Sequence, residues 1–251
     1  MKYASKSISS KWRKTQWMLN DSRLGPYVPE TRLFNRNNLK AMLDRYAKVY
    51  FKPSIGSGGN RIKRIDRPSS GGYRVRGGKS ERFRSFDSLY RKLNDFARGD
   101  KFILQKGINL AETNGRPFDL RVMVQKPASG KWRTTVVFSK IGKKGKIVNN
   151  YNQGGKVAYF RETMKGAGYS DEKIKRTYDQ LSRLGQNAGA CFDRHSAGFR
   201  ELGLDVAIDK KGRQWILETN TRPQFYPLKK LWDKKLYRRI VDYAKQYGRS
   251  K

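Results

Sequence analysis

Apolar positions along the chain repeat with two periods, and the changes of period mark the elements. Residues 10–20 read as a helix, with Trp12, Gln16 and Leu19 at roughly helical spacing and Asn20-Asp21 and Gly25-Pro26 ending it. A second helix is predicted over 38–46, capped by Asn37, with Leu39, Met42, Leu43 and Tyr46 as its buried stripe. An apolar strand begins at Val49-Tyr50-Phe51 and runs into Lys52-Pro53-Ser54-Ile55-Gly56-Ser57-Gly58-Gly59. Strands over 61–66 and 73–76 follow, joined by the turn Pro68-Ser69-Ser70-Gly71-Gly72. A helix over 86–96 with Ser85 as cap and a short buried strand at 102–104 complete this half.

Beyond it, Phe118, Leu120, Val122 and Val124 alternate with Asp119, Arg121, Met123 and Gln125, the period of a half-buried strand. Residues 132–138 should be its antiparallel neighbour, and 149–156 a polar, glycine-containing loop. Ser170 caps a helix from 171 to about 192, whose first turn carries Asp171 and Glu172 at its positive end. A hairpin pairs 204–208 with 215–217 around Asp209-Lys210-Lys211-Gly212, and a helix from 228 to about 247 closes the chain. With no internal repeat and no long linker, the pattern is that of an α+β fold dominated by antiparallel strands.

Charge changes this picture more than length does. Lys+Arg number 57 against 21 Asp+Glu, a formal net charge of +36 over 251 residues. Such an excess draws phosphates, acidic peptides or nucleic acid and opposes self-association. The 12 Phe, 14 Tyr and 5 Trp supply the large apolar payloads that a thin aliphatic content leaves wanting. No apolar run is long enough to span a membrane and MKYASKSISSKW has no hydrophobic region, so neither a spanning helix, a signal peptide nor a membrane partner is expected. One cysteine, Cys191, and one histidine, His195, exclude an internal disulfide and the usual zinc cages, and His195 has no G-x-S-x-G partner for a hydrolase triad. Core packing or a surface position accounts for both. The expected compartment is a reducing cytoplasm.

Three groups of residues carry candidate chemistry. The loop Ile55-Gly56-Ser57-Gly58-Gly59 lies between two strands, which excludes the Walker A and Rossmann patterns, since both need a helix to follow. Its backbone N–H groups can still approach phosphate oxygens, with Lys52 as a point charge; a flexible hairpin tip is the alternative. In the last hairpin, a turn at 209–212 sets the pairing near register sum 422 or 423, which puts Asp205 beside Glu218. Glu218 and Asn220 share a strand face, so two carboxylates and an amide oxygen can offer hard donors to Mg²⁺; ordinary surface acids are the alternative. Asp119 and Arg121 share a face too, as a buried ion pair or with Arg121 stabilising charge on a transferred phosphoryl group.

The order of these motifs resembles the ATP-grasp superfamily: Ser10-Lys11-Trp12, Phe51-Lys52-Pro53 with its glycine loop, Gln105-Lys106-Gly107-Ile108, Phe118-Asp119-Leu120-Arg121, Gly203-Leu204-Asp205 and Leu217-Glu218-Thr219-Asn220. Gly115-Arg116-Pro117-Phe118-Asp119-Leu120-Arg121-Val122 and Gln153-Gly154-Gly155 are most similar to the endospore coat-associated YheC/YheD branch. The Phe-Asp-Leu-Arg strand is similar to that of tubulin–tyrosine ligase-like enzymes, and the Glu-x-Asn ending to that of D-alanine–D-alanine ligase. The resemblance implies an ATP-grasp fold in one catalytic unit over 1–251: a helical segment 1–47, a small glycine-loop lobe 48–104 and a larger metal-binding lobe 105–251. ATP would lie between the lobes, with Lys11 and Lys52 on its phosphates and Gly56, Ser57, Gly58 and Gly59 closing over them. Gln105, Lys106, Gly107 and Ile108 would form the hinge strand against adenine, and Asp119 would lie beside the nucleotide. Mg²⁺ would be held by Asp205, Glu218 and Asn220; Arg121 and Lys52 would be catalytic; Asn150, Gly154, Gly155 and Arg222 would line the acceptor side. Many relatives carry Glu where this chain has Gln105, and the amino-terminal substrate domain of full-length ligases has no counterpart here.

The activity implied is ATP- and Mg-dependent ligation of a carboxylate to an amine through an acylphosphate. An acidic peptide or protein is the expected substrate, since residues 61–84 and the closing helix are strongly basic. A nucleic-acid or polyanion binder on the same scaffold, and a kinase, are the alternatives. Spore association is implied by the resemblance alone.

Overall fold

The computed structural model describes residues 2–56, 58–142 and 155–249. Two six-stranded antiparallel sheets, each with its own apolar core, organise the chain. The smaller half contains β1 (Thr31–Leu33), α2 (Arg36–Arg45), β2 (Lys48–Pro53), β3 (Lys63–Asp66), β4 (Tyr73–Arg76), β5 (Glu81–Phe83), α3 (Phe86–Ala97) and β6 (Phe102–Lys106). Its strand order is β1-β6-β2-β3-β4-β5. Alternate residues of β2, Val49 and Phe51, face Leu39, Met42, Leu89 and Leu93 of the two helices, whereas Lys48, Tyr50 and Lys52 point to the other side.

The larger half holds β7 (Glu112–Thr113), β8 (Arg116–Gln125), β9 (Arg133–Ile141), β10 (Lys156–Tyr159), α4 (Phe160–Gly166), α5 (Asp171–His195), β11 (Glu201–Ile208), β12 (Gln214–Asn220) and α6 (Lys235–Lys245). Its main path is β10-β9-β8-β11-β12, with β7 paired to β8. Phe118, Leu120, Val122 and Val124 bury against α5. On the opposite face, Met123, Val136 and Phe138 lie under Ile240 and Ala244 of α6 and under Phe225, Leu228 and Leu231 of the segment before it. Asp119 and Arg121 have the parity of Met123, so their face is the one that α6 only partly covers.

The α+β reading and the strand alternation hold, with several corrections. Asn35, not Asn37, caps α2, its side chain accepting from Asn38 N at 2.8 Å. Helix α1 (Lys11–Leu19), capped by Ser10, does not bury Trp12 and Gln16: its inward stripe is Lys11, Lys14, Thr15 and Met18. The amino-terminal segment is not helical throughout, because β1 pairs with β6. Strands β1 and β5 and helix α4 are short elements without a clear period and were not predicted. The closing helix is broken: a 3-10 turn at Tyr226–Lys230 ends before α6, which runs from Lys235 to Lys245.

Candidate active site

A cleft of about 90 Å³ opens between the two sheets, lined by Lys11, Gly56, Gly58 and Gly59 on one wall and by Arg121, Asp205, Glu218 and Asn220 on the other. Strand register creates the second wall. Asp205 on β11 lies opposite Arg121 on one side and Glu218 on the other, while Asp119 lies opposite Lys140 of β9. Both expected register sums occur: Asp205 pairs with Glu218, then a bulge shifts the ladder so that Val206 pairs with Ile216. Two residues against one at that bulge let Leu217 and Glu218 both approach the cleft side; Leu217 packs with Ile108, Ala207 and Trp215.

The ion pairs differ from the expected Asp119–Arg121 pair. Arg121 Nε donates to Asp205 Oδ1 at 2.7 Å, and Lys140 Nζ lies 3.0 Å from both Asp119 Oδ2 and Asp205 Oδ1. Burial alone would raise the Asp205 carboxyl, but Arg121 and Lys140 outweigh it and hold it at about 2. Burial dominates at Asp119 and raises it, with the neighbouring Asp205 charge adding to the rise against Lys140. Asp119 Oδ1 is buried without a hydrogen-bond partner. Lys140 is not among the sequence-predicted site residues: the strand expected over 132–138 stops short of it, whereas β9 runs on to Ile141.

On the other wall, Lys11 Nζ lies 3.2 Å from Glu218 Oε1 and also donates to the Gly56 carbonyl. Lys14, one helical turn on, is buried beside it, and burial lowers its ammonium to about 8. Lys52 donates to Gln105 Oε1 at 2.7 Å, and burial lowers it to about 8 against the attraction of Glu218. Lys14 too was missed, because lysines are expected to point away from a helix core.

Gln105 of β6 bridges the two sheets. Its side chain is buried, and Nε2 donates to Thr31 Oγ1 at 3.2 Å and to the Leu217 carbonyl at 3.3 Å, tying the two sheets together around Lys52. Lys106 Nζ sits over the rings of Tyr46 and Trp215. A Cβ at Gly107 would fall 2.4 Å from Lys48 Cγ, so the strand passes close under that side chain. Ile108 joins Ala207 and Leu217 in a small apolar cluster at this end of the cleft. Arg222 is exposed with its guanidinium over the Tyr3 ring, and Gly155 is buried just before β10. Ser57, Asn150 and Gly154 lie outside the described residues. Cys191 is buried in the α5 core and His195 stacks on Trp17, and neither lines the cleft.

Among the described residues, no three His, Cys, Asp or Glu side chains converge so as to hold a metal by themselves. Asp205, Glu218 and Asn220 do share the cleft, and they are hard oxygen donors. With the orphaned Asp119 Oδ1 nearby, they fit a Mg²⁺ whose remaining ligands come from a nucleotide rather than from protein.

The family described as YheC/D like ATP-grasp matches residues 1–250. Endospore coat-associated protein YheD of Bacillus subtilis (strain 168) is 30% identical over 226 residues, covering 87% of this chain and 49% of its own length. Mouse tubulin polyglutamylase TTLL6 is 33% identical over 82 residues, 28% of this chain and 10% of its own. The solved structure of D-cycloserine synthetase DcsG superposes with a TM-score of 0.57 at 11% identity, covering 95% of this chain and 70% of that one. The chain thus spans about half the length of YheD. No helix of the described residues is long and apolar enough to cross a membrane.

Proposed function

The chain belongs to the YheC/D-like ATP-grasp family, and from that premise we propose that it is an ATP- and Mg-dependent carboxylate–amine ligase. The observation that carries this reading is the cleft itself, where the Lys11 ammonium of α1 and the glycine loop after β2 meet a mixed cation–carboxylate cluster on β8, β11 and β12. Lys11, Lys14 and Lys52 are the cations for the ATP phosphates, and the glycine loop supplies backbone N–H groups above them. The apolar cluster of Ile108, Ala207 and Leu217 beside the hinge strand suits the adenine ring. Mg²⁺ held by Asp205, Glu218 and Asn220 would neutralise charge on the phosphate oxygens.

The reaction needs few proton transfers. A substrate carboxylate oxygen attacks the γ-phosphorus, the bond to ADP breaks, and an acylphosphate forms. An amine then attacks the acyl carbon, inorganic phosphate leaves, and the nitrogen loses a proton to solvent. Arg121, fixed by Asp205 and by its hydrogen bond to the Gln224 carbonyl, is placed to stabilise charge on the phosphoryl group in flight. Lys140 positions Asp119 and Asp205. The net charge of +36 supports an acidic peptide or protein as the carboxyl substrate, and the partial likeness to a protein named tubulin polyglutamylase points the same way. A cytoplasmic or spore-associated setting belongs to the same proposal.

The test is to incubate the protein with Mg-ATP, amino acids and acidic peptides and weigh the products. Ligation adds the mass of the amine less one water and releases ADP with phosphate. A product heavier by one phosphoryl group makes the protein a kinase instead.

A further inference from the structure

Strand β12 does not end the site. Residues 221–227 continue from Asn220 with alternate burial: Thr221, Pro223, Phe225 and Pro227 point inward, whereas Arg222, Gln224 and Tyr226 are exposed. The inward residues anchor the segment, because Phe225 packs under α6 and Thr221 Oγ1 accepts from Ile8 N at 2.9 Å. The Gln224 carbonyl accepts from Arg121, so the segment starts in contact with the residue proposed to face the transferred phosphoryl group. It then leads to the exposed Lys229 and Lys230 and to Trp232, which at 81% is the most exposed large apolar side chain of the described residues. Asp233 is the one acid in the run from 221 to 239, and its carboxylate is engaged by Lys235 N at 2.8 Å.

One exposed tryptophan means little on its own. Here it stands at the end of a basic track that begins beside the cleft and passes through the 3-10 turn at Tyr226–Lys230, with its ring inclined on Tyr159 at 5.8 Å, and Tyr159 in turn accepts from Asp233 N. We infer that residues 222–232 form a docking track for an extended acidic polypeptide, with Arg222 and the lysines pairing its carboxylates and Trp232 packing on its chain. This rests on the ligase reading for what is done to the carboxyl group at the Arg121 end. Charge complementarity and continuity with a site for carboxyl activation favour a polypeptide over nucleic acid. Lysines dominate this track, whereas the arginines suited to phosphate forks cluster on β3, β4 and β5, where Arg64 faces Arg76 and Arg74 faces Arg82.

The experiment measures anisotropy of a fluorescein-labelled decaglutamate at fixed ionic strength. The variants are Trp232→Ala, the double variant Lys229→Glu/Lys230→Glu, and a control, Arg82→Glu/Arg84→Glu, with the same change in net charge. Binding should weaken about tenfold or more in the first two and less than about twofold in the control. Equal weakening in the control would show attraction by overall charge and overturn the track. So would a uridine oligonucleotide of equal charge that displaces decaglutamate at lower concentration than unlabelled decaglutamate does. Thermal melts of all variants check the fold; every substituted residue is exposed. Tight, track-dependent binding without ATP turnover leaves the docking in place and removes the ligase reading. Turnover on free amino acids without decaglutamate binding does the reverse.

Discussion

Asp205 and Glu218 look alike in the sequence, two acids across one hairpin, yet their surroundings assign them different fates on mutation. Asp205 neutralises the largely enclosed Arg121 and shares Lys140 with Asp119, so Asp205→Asn leaves Arg121 without its carboxylate and Lys140 with one acid in place of two, and a cost of about 3 kcal/mol is expected in a urea melt. Glu218 is more open and pairs only with Lys11 among the ion pairs of the described residues. Glu218→Gln is therefore expected to lose turnover at least about a hundredfold while shifting stability by less than about 1 kcal/mol. Full ADP release by that variant would remove the proposed metal set. Lys14 and Lys52, each lowered to about 8, give the cleft a pH signature. Bound phosphates favour the charged ammonium and raise both values, so nucleotide binding at pH 8.5 should take up protons and affinity should fall as pH rises from 7 to 9. Calorimetry in buffers of different ionisation enthalpy reads the uptake directly; no uptake would mean that neither lysine meets phosphate. The sign for the nucleotide-free fold is opposite: between about 8 and the ordinary 10.5 the unfolded chain holds more protons, so these lysines make the fold more stable as pH rises.

At the scale of elements, what could be read in advance was whatever a local period encodes. The β11–β12 hairpin was legible because a four-residue turn fixes its register, and with it the meeting of Asp205 and Glu218. Strand β8 was legible from its alternation. The partnership of Lys140 with Asp119 was not, since it depends on the β8–β9 register, which shifts at Met123/Val124, and no pattern marks that shift. The helical spacing of Trp12, Gln16 and Leu19 does not reveal the inward stripe of α1, because two of its four buried residues, Lys11 and Lys14, are lysines, against the usual preference. Glycines inside regular elements were also informative only once the neighbours were known. A Cβ at Gly203 would fall 2.5 Å from Pro223 Cβ and 3.2 Å from Arg121 Cδ, so this strand glycine makes room for the Arg121 side chain. Gly203→Ala should displace Arg121 and lower kcat about tenfold or more, with a far-ultraviolet spectrum like the parent's. In α5, a Cβ at Gly189 would lie 2.4 Å from Trp132 Cδ2. Alanine at an open helical site gains about 1 kcal/mol over glycine, but here overpacking of about 1–3 kcal/mol opposes it. A lowered Tm is expected for Gly189→Ala; a raised one would mean that Trp132 can move aside.

For the whole molecule, the balance of charge across the cleft decides the order in which ligands enter. Lys11, Lys14, Lys52, Arg121 and Lys140 face Asp119, Asp205 and Glu218, so among the described residues the cations outnumber the acids. Asp205 is already neutralised by two cations and Glu218 by one, which leaves little field to attract a divalent ion. A triphosphate reverses this: it takes the lysines for its own oxygens, releases the carboxylates, and brings the ligands that the protein lacks for Mg²⁺. Mg²⁺ and ATP should therefore bind with strong positive coupling, each raising the affinity for the other by the same factor. In thermal melts, millimolar Mg²⁺ alone should leave Tm where it is. Mg-ATP should raise it progressively with concentration, toward about 2.7 kcal/mol of stabilisation at a hundredfold excess over Kd. Glu218→Gln should narrow the gap between ATP with and without Mg²⁺ while keeping the response to ATP itself. A parent protein stabilised as well by Mg²⁺ alone as by Mg-ATP would mean that the carboxylates are not held by the cleft cations in solution.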